Sequence, residues 1–382
     1  MNTKQNSESQ LYQKGLEFFY KGQFKDGMPL LIESAKLDYI PAIKELGLCF
    51  LHGISVKQNL EKAIIYFKKS IQHPESQFEL CKIYFFGYGL DQDTSKAKKL
   101  LIKSANSRYT PALNLMAMCY QINGEIEMAQ SLLSLSIGQQ DPFAMHLKKQ
   151  SLLVDALAYK EAINCFEWPQ LNSASTNKNT IHKAPEIFTI ENLLSDLECE
   201  YIKFISSPYM RESMIINPQT GIREKDSIRT SYSATIDWLT EDPAVFFLMQ
   251  KCCQCFQVDV SQSEILHVLH YSIGEEYKPH YDFFGGVSQL TKFNPNTQRI
   301  KTICLYLNDV EQGGSTTFPK LNKTVSPKKG RAVFFENINT ESNKPYIDSL
   351  HAGEPVEQGE KWLATLWIRN NNTNRGPHYE SI

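Results

Sequence analysis

The spacing of apolar residues divides the chain into two parts. Up to about residue 168, apolar positions recur with helical spacing, and the pattern itself repeats. The repetition pairs residues 34 positions apart: Leu46 with Leu80, Gly53 with Gly87, and Ala63 with Ala97. This period predicts about four stacked αα-hairpins, which form an all-α solenoid. A helix over residues 152–166 is expected to end the array.

The second part, residues 184–382, has mainly the two-residue alternation of β-strands. The pattern predicts strands at 186–190 and 228–232 and a helix at 243–256, with strands almost continuously from there to Arg369. Residues 192–195 are predicted to lead into another helix, which runs through Ile205. This order predicts a double-stranded β-helix, or jelly roll, with the helices against its larger sheet. Residues 169–183 are polar, as is typical of a linker. We therefore expect an α+β protein of two domains, residues 1–168 and 184–382.

Composition and charge narrow the classes of partner. A net charge of -2 favours neither nucleic acid nor an anionic membrane surface. The polar start lacks the apolar core of a signal peptide, and no stretch reaches the roughly 20 apolar residues of a membrane helix. Nine cysteines without paired spacing indicate reduced thiols and a cytoplasmic location. The cluster Cys252, Cys253 and Cys255 lies in an apolar helical run, which favours buried thiols over a metal site.

Candidate chemistry lies in residues 264–282. This stretch is predicted to be a strand, a glycine-containing turn and a second strand that ends on His280, Tyr281 and Asp282. Side chains two apart in a strand share a face, so His280 and Asp282 point the same way. A histidine and a carboxylate on one face supply two of the three ligands of a facial triad, which suits non-haem Fe(II). The candidate third ligand is His351. The alternative is a chance pair at the end of a strand.

Several separated motifs surround these residues, at 280–282, 308–310, 313–319, 325–332, 351–356, 359–362 and 367–369. Their order, spacing and amino-acid sequences resemble those of the prolyl 4-hydroxylase branch of the Fe(II)- and 2-oxoglutarate-dependent dioxygenases, over roughly the last half of the chain. The resemblance implies that His280, Asp282 and His351 bind iron. It also implies 2-oxoglutarate and O2 as co-substrates, and L-ascorbate as a further cofactor. Lys361, ten positions after His351, would bind the far carboxylate of 2-oxoglutarate.

Alternation along the last strand agrees with that role for Lys361. Its even-numbered positions from 362 to 368 are apolar and would pack against the helices, while Lys361, Leu363, Thr365 and Trp367 would face the interior. A lysine inside an apolar barrel needs a countercharge, because an unpaired buried ammonium is costly. The alternative is a lysine that extends to the rim of the barrel.

The resemblance implies further roles near the cofactor and the substrate. Tyr271, Tyr306, Thr365 and Trp367 match cofactor-side positions, although a structural role for the tyrosines stays open. For the substrate, Tyr277 and Arg299 match positions at the cleft. Residues 283–298 match a loop that folds over peptide substrates in prolyl hydroxylases. The chain departs from the family at Ser315, where glutamate is frequent, and this weakens any inference about fine substrate preference.

The helical repeats resemble the Sel-one-like variety of tetratricopeptide-type array, which presents a groove to proteins or peptides. A Pro-containing protein or peptide substrate and a protein partner in the groove are therefore expected, although the array could instead stabilise the oxygenase or mediate dimerisation. The predicted activity is hydroxylation of a peptidyl residue, with proline expected. Two alternatives stay open: hydroxylation of a free small molecule or another side chain, and a scaffold whose oxygenase domain binds without turnover.

Overall fold

The computed structural model describes residues 2–150, 152, 159–171, 177–216, 223–225, 228–284 and 298–376. The chain forms two compact units. The first comprises Met1–Tyr120, Glu125–Met145 and Leu153–Trp168, and the second comprises Gln121–Gly124, His146–Leu152 and Pro169–Ile382. Whether residues 1–168 and 184–382 fold as independent domains stays a prediction. Within the described residues, the helices include none that is long and apolar enough to cross a membrane.

The N-terminal half is helical, as predicted. Its helices are α1 Asn2–Tyr20, α2 Phe24–Lys36, α3 Ile40–His52, α4 Leu60–Lys69, α5 Pro74–Phe86, α6 Thr94–Asn106, α7 Thr110–Asn123, α8 Ile126–Ile137, α9 Pro142–Lys149 and α10 Tyr159–Asn164. Helices α1–α6 pack as three consecutive hairpins. Of the helix predicted over 152–166, α10 is the helical part that is described, and residues 151 and 153–158 lie outside the described residues.

The same kind of helix-to-helix turn occurs in two successive repeats, which explains the 34-residue period. Gly53 and Gly87 end α3 and α5 with φ of 71° and 76°, a left-handed conformation that glycine adopts without strain. Asn59 and Asp93 then begin α4 and α6, and each side chain accepts a 2.8 Å hydrogen bond from the backbone N–H three residues on. Inside the hairpin, a Cβ at Gly47 would lie 2.6 Å from the Phe67 ring, so the close approach of α3 and α4 requires glycine.

The C-terminal half contains helices α11 Asp196–Ser206 and α12 Pro243–Cys255, short 3-10 helices such as Ser207–Tyr209, and many strands. The strands are β1 Asn179–Lys183, β2 Glu186–Ile190, β3 Arg211–Glu212, β4 Met214–Ile216, β5 Arg223–Lys225, β6 Tyr232–Ile236, β7 Leu266–Tyr271, β8 Tyr277–His280, β9 Arg299–Tyr306, β10 Gln312–Gly313, β11 Thr316–Phe318, β12 Lys323–Val325, β13 Ala332–Glu336, β14 Ile338–Asn339, β15 Lys344–Pro345, β16 His351–Gly353, β17 Val356–Gln358 and β18 Lys361–Arg369.

Two sheets face each other across the core, which confirms the predicted jelly roll. The eight-stranded sheet has the order β1-β2-β13-β9-β18-β7-β6-β3, and the four-stranded sheet has the order β12-β11-β16-β8. Buried side chains from both sheets meet between them, for example Tyr306 and Phe335 from the larger sheet and Phe318 from the smaller. On the other face of the larger sheet, Phe256 at the end of α12 packs on Phe188 and Phe334. The core therefore lies between the two sheets, and a further aromatic group packs on the outer face of the larger sheet.

Three local predictions differ from the structure. Residues 179–183, predicted as linker, form β1, because a solvent-exposed edge strand need not show apolar alternation. The strand predicted at 228–232 begins instead at Tyr232, and Arg229 makes a single bridge to Tyr277. Strand β8 ends at His280, so Asp282 lies beyond its end. Both long helices of this half occur where predicted, and α12 buries Cys252, Cys253 and Cys255.

Candidate active site

The structure brings His280, Asp282 and His351 together between the two sheets. His280 and His351 are direct partners in the pairing of β8 with β16, and Asp282 follows two residues after β8. One ligand atom from each residue lies within 4.8 Å of the other two. The set therefore converges on a single point, as a metal ion requires.

Backbone contacts fix the orientation of both imidazoles. Nδ1 of His280 donates to the carbonyl oxygen of Lys278 at 2.8 Å, and Nδ1 of His351 donates to that of Ser349 at 2.9 Å. Because a carbonyl oxygen only accepts, the proton lies on Nδ1 and Nε2 is the free ligand atom. The Nε2 atoms of His280 and His351 lie 3.8 Å and 3.6 Å from the carboxylate oxygens of Asp282. The Nδ1 hydrogen bonds to backbone carbonyls are of the kind that histidine metal ligands usually make with the nitrogen that does not bind the metal.

The electrostatics of the cluster suit a cation. Burial, with the neighbouring His351, lowers the pKa of His280 to about 3, so this imidazole is neutral at physiological pH. Burial alone would raise the pKa of Asp282, but His351, His280 and the Thr302 hydroxyl together hold it below its usual value. Neutral imidazole and carboxylate are the donor set of a two-histidine, one-carboxylate Fe(II) centre. The residues present therefore fit the implied iron.

Lys361 is buried in the same cavity, with 2% of its surface exposed. Its ammonium nitrogen lies 5.3 Å from the centre of the Tyr271 ring and 5.7 Å from that of Tyr306. Burial lowers the pKa of Lys361 to about 8, against the smaller opposing effects of Cys304 and Glu354. A buried ammonium of this kind favours an anionic ligand in the cavity.

The cavity contains most of the predicted site residues together with several others. Of the predicted residues, those that line it are Tyr271, Tyr277, His280, Asp282, His351, Lys361, Thr365 and Trp367. Alternation along β18 therefore places its side chains as predicted. The remaining lining residues are Arg229, Leu269, Cys304, Thr316, Ala352, Gly353 and Leu363.

Two predicted residues lie behind the cavity wall. Tyr306 is fully buried, and its hydroxyl donates to Thr316 Oγ1 at 2.7 Å, so it acts on the cavity through Thr316. The Arg299 guanidinium donates two 2.8 Å hydrogen bonds to the Glu264 carboxylate and lies 3.7 Å from the centre of the Trp367 ring. Arg299 therefore supports a lining residue instead of lining the cavity itself.

Tyr277 packs on one of the candidate metal ligands. Its ring stacks on His280 with centroids 3.4 Å apart, and Arg229 lies 5.5 Å from the centre of the Tyr277 ring. Of the loop predicted over 283–298, residues 285–297 lie outside the described residues. Ser315 is described, and its carbonyl oxygen accepts from the Glu354 N–H at 2.8 Å.

Sequence reasoning missed Arg229, Cys304 and Thr302. Arg229 reaches the cavity because residue 229 bridges to Tyr277, a pairing that local alternation does not encode. Cys304 and Thr302 lie on β9, where alternation places them on one face with Tyr306. That shared face was the available signal for both.

Comparisons with known proteins agree with this geometry. A family model described as the 2OG-Fe(II) oxygenase superfamily matches residues 266–369, and a Sel1 repeat model matches residues 40–73 and 74–109. Probable prolyl 4-hydroxylase 3 of Arabidopsis thaliana is 32% identical over 205 residues, which cover 48% of this chain and 69% of that protein.

Longer relatives match over part of their length. Prolyl 4-hydroxylase subunit alpha-1 of Homo sapiens is 27% identical over 331 residues, which cover 83% of this chain, and the chain spans 57% of that protein. It spans 34% of the alpha-1 subunit of Mus musculus. Among solved structures, viral collagen prolyl hydroxylase vCPH from Paramecium Bursaria Chlorella virus-1, as its 2OG complex, is 28% identical. That match covers 48% of this chain and 95% of the viral one, with a TM-score of 0.38.

The two-sheet fold and its His-Asp-His centre define a member of the 2OG-Fe(II) oxygenase superfamily. Within that superfamily the chain belongs to the prolyl 4-hydroxylase family, as its match to most of the Arabidopsis relative indicates. Its N-terminal half carries Sel1 repeats.

Proposed function

We propose that this chain is an Fe(II)- and 2-oxoglutarate-dependent dioxygenase that hydroxylates a peptidyl residue, with proline as the expected target. The observation that carries the proposal is one cavity that holds both a converging His-Asp-His set and a buried lysine. Family membership supports proline, since the relatives are named prolyl 4-hydroxylases.

The roles follow from the positions of the side chains. His280, Asp282 and His351 would hold the iron, and Lys361 would pair with the far carboxylate of 2-oxoglutarate. When bound, iron and 2-oxoglutarate, with O2, would supply the oxidising chemistry that inserts one oxygen atom into a C–H bond and converts 2-oxoglutarate to succinate and CO2. L-ascorbate is part of the proposal as a reductant, on family grounds.

The chain itself contributes orientation and exclusion of water. Tyr271, Thr365 and Trp367 line the cavity around Lys361 and would exclude water from the bound co-substrate. Tyr306 would act through Thr316. Tyr277 lies at the cleft above His280, where a peptide would approach, and Arg299 would hold Trp367 in place.

A cytoplasmic location and a protein partner complete the proposal. All nine cysteines lie within the described residues and have reduced side chains, as in a reducing compartment. The Sel1 repeats would recruit a protein, because stacked helical hairpins present extended binding surfaces. Cross-linking of the full chain in its host, followed by mass spectrometry, should identify a bound protein through peptides joined to residues 24–109. Cross-links confined to residues 177–376 would contradict recruitment by the repeats.

The deciding experiment compares a host proteome with and without the active chain. Mass spectrometry should find proline-containing peptides that gain one oxygen atom with the parent chain and not with Asp282→Ala. Succinate release should depend on the same proteins. Release driven by a free metabolite but not by protein would favour a small-molecule hydroxylase, and no release with either would favour a binding scaffold.

A further inference from the structure

The carboxylate of Asp282 is tied into a buried chain of hydrogen bonds behind the cavity. The Thr302 hydroxyl donates to Asp282 Oδ2 at 2.7 Å, and Asn337 Nδ2 donates to Thr302 Oγ1 at 2.8 Å. Thr302 and Asn337 are both fully buried. Thr302 lies on β9, and Asn337 lies between β13 and β14. Neither residue is among those that line the cavity.

Asn337 also connects to the third ligand through the main chain. Its carbonyl oxygen accepts from the N–H of Tyr346 at 2.9 Å, and the Tyr346 carbonyl accepts from the Ser349 hydroxyl at 2.7 Å. Ser349 in turn supplies the carbonyl that orients His351. One residue therefore links two ligands, Asp282 and His351, that come from separate parts of the sequence.

The order of donors and acceptors along these hydrogen bonds determines where each proton points. Because Thr302 Oγ1 accepts from Asn337, its own proton must point elsewhere, and Asp282 is the acceptor in range. The β-branched threonine has restricted rotation about χ1, so its hydroxyl has a defined position. Oδ2 of Asp282 is thereby held by the Thr302 hydroxyl, which fixes the rotation of the carboxylate and so the direction in which Oδ1 points.

We propose that Thr302 and Asn337 are positioning residues that fix the rotation of the Asp282 carboxylate and its placement relative to His351. The inference rests on the proposed iron site and goes beyond it, since neither residue touches the ion. Stability alone explains Asn337 poorly. Its Oδ1 is buried without a hydrogen-bond partner among the described residues, and such an atom is destabilising.

The test measures Fe(II) affinity of the full chain by anaerobic equilibrium dialysis. Thr302→Val keeps the shape and removes the hydroxyl, Thr302→Ser keeps the hydroxyl, and Asn337→Leu removes the second donor. Thr189→Val is the matched control, since Thr189 is a buried threonine of the same sheet that does not line the cavity. We expect Thr302→Val to bind about 10- to 100-fold more weakly, Asn337→Leu to bind less weakly than that, and Thr302→Ser and Thr189→Val to match the parent.

A second readout is independent of turnover. The visible absorption of bound Co(II) depends on the number and arrangement of its ligands. Thr302→Val releases the Asp282 carboxylate from its fixed rotation, so this variant should change the spectrum, whereas Thr302→Ser should retain it. Parent-like affinity and spectrum in Thr302→Val would overturn the inference. If that variant does not fold, Asn337→Leu decides in the same way. A parent chain that binds no Fe(II) would reject the proposed function itself, while a binding parent with unchanged variants would reject only the positioning role.

Discussion

Strands β8 and β16 of the four-stranded sheet have four and three residues, whereas β9 and β18 of the eight-stranded sheet have eight and nine. The short strands carry two of the proposed metal ligands, His280 and His351, and each imidazole is oriented by a carbonyl two residues before it. The long strand β18 carries Lys361 at its start and is paired with β7 and β9.

This difference indicates two ways to place a functional side chain. Local polar contacts orient the metal ligands, so a substitution there should affect the metal and leave the rest of the fold intact. Burial within a continuous sheet places Lys361, so its charge and the packing around it are linked. Substitutions in the two sheets should separate these two modes.

The largest effect is expected from loss of a ligand in the short-stranded sheet. His351→Ala should abolish substrate-stimulated succinate release, because two protein ligands remain for an ion that requires three. His270→Ala is the matched control, since His270 lies on β7 and hydrogen-bonds Glu360 at 2.8 Å. Succinate assays at saturating iron compare the two variants. Near-parent turnover in His351→Ala would show that His351 is not a ligand.

A smaller but still large effect is expected from the long-stranded sheet. Lys361→Ala removes one partner of a desolvated charge pair, which typically costs about 2–5 kcal/mol, or roughly 30-fold to several thousand-fold in affinity. The interaction exists in the ground state and the transition state, so KM for 2-oxoglutarate should rise more than kcat falls. Titration of 2-oxoglutarate against succinate release measures both. An unchanged KM would mean that another basic residue binds the carboxylate.

The smallest effect is a pH dependence. The pKa of Lys361 is about 8 in the free protein, so below that pH the ammonium is present and KM for 2-oxoglutarate should be flat. Above it, binding must take up a proton, and KM should rise about tenfold per pH unit. Lys361→Arg should not show this rise, because arginine stays protonated. A parent KM that stays flat well above pH 8 would contradict the assignment.

Sequence reasoning succeeds where the signal is local. The 34-residue period follows from turn residues such as Gly53 and Asn59, which act within a few residues of themselves. Alternation along β18 likewise identifies the side chains that face the cavity, including Thr365.

Sequence reasoning fails where contacts between residues that are distant in the sequence determine the position of a side chain. Arg229 lines the cavity through a bridge to a residue 48 positions later, Tyr277, and Asn337 reaches Thr302 from the connection between β13 and β14. Neither contact leaves a periodic trace. Residues 179–183 have the polar sequence of an exposed edge strand, which local patterning does not distinguish from a linker.

The orientation of the His280 and His351 rings by backbone carbonyls also affects metal selectivity. Hydrogen bonds to the carbonyls of Lys278 and Ser349 fix both rings, with their ligand nitrogens toward one point. A site that needs little rearrangement admits any divalent ion of suitable size, so it cannot select iron by folding around it. Affinities should then follow the general order in which Ni(II), Cu(II) and Zn(II) exceed Fe(II). The identity of the bound ion would depend on which metals the cell keeps free, and trace zinc or nickel would act as competitive inhibitors.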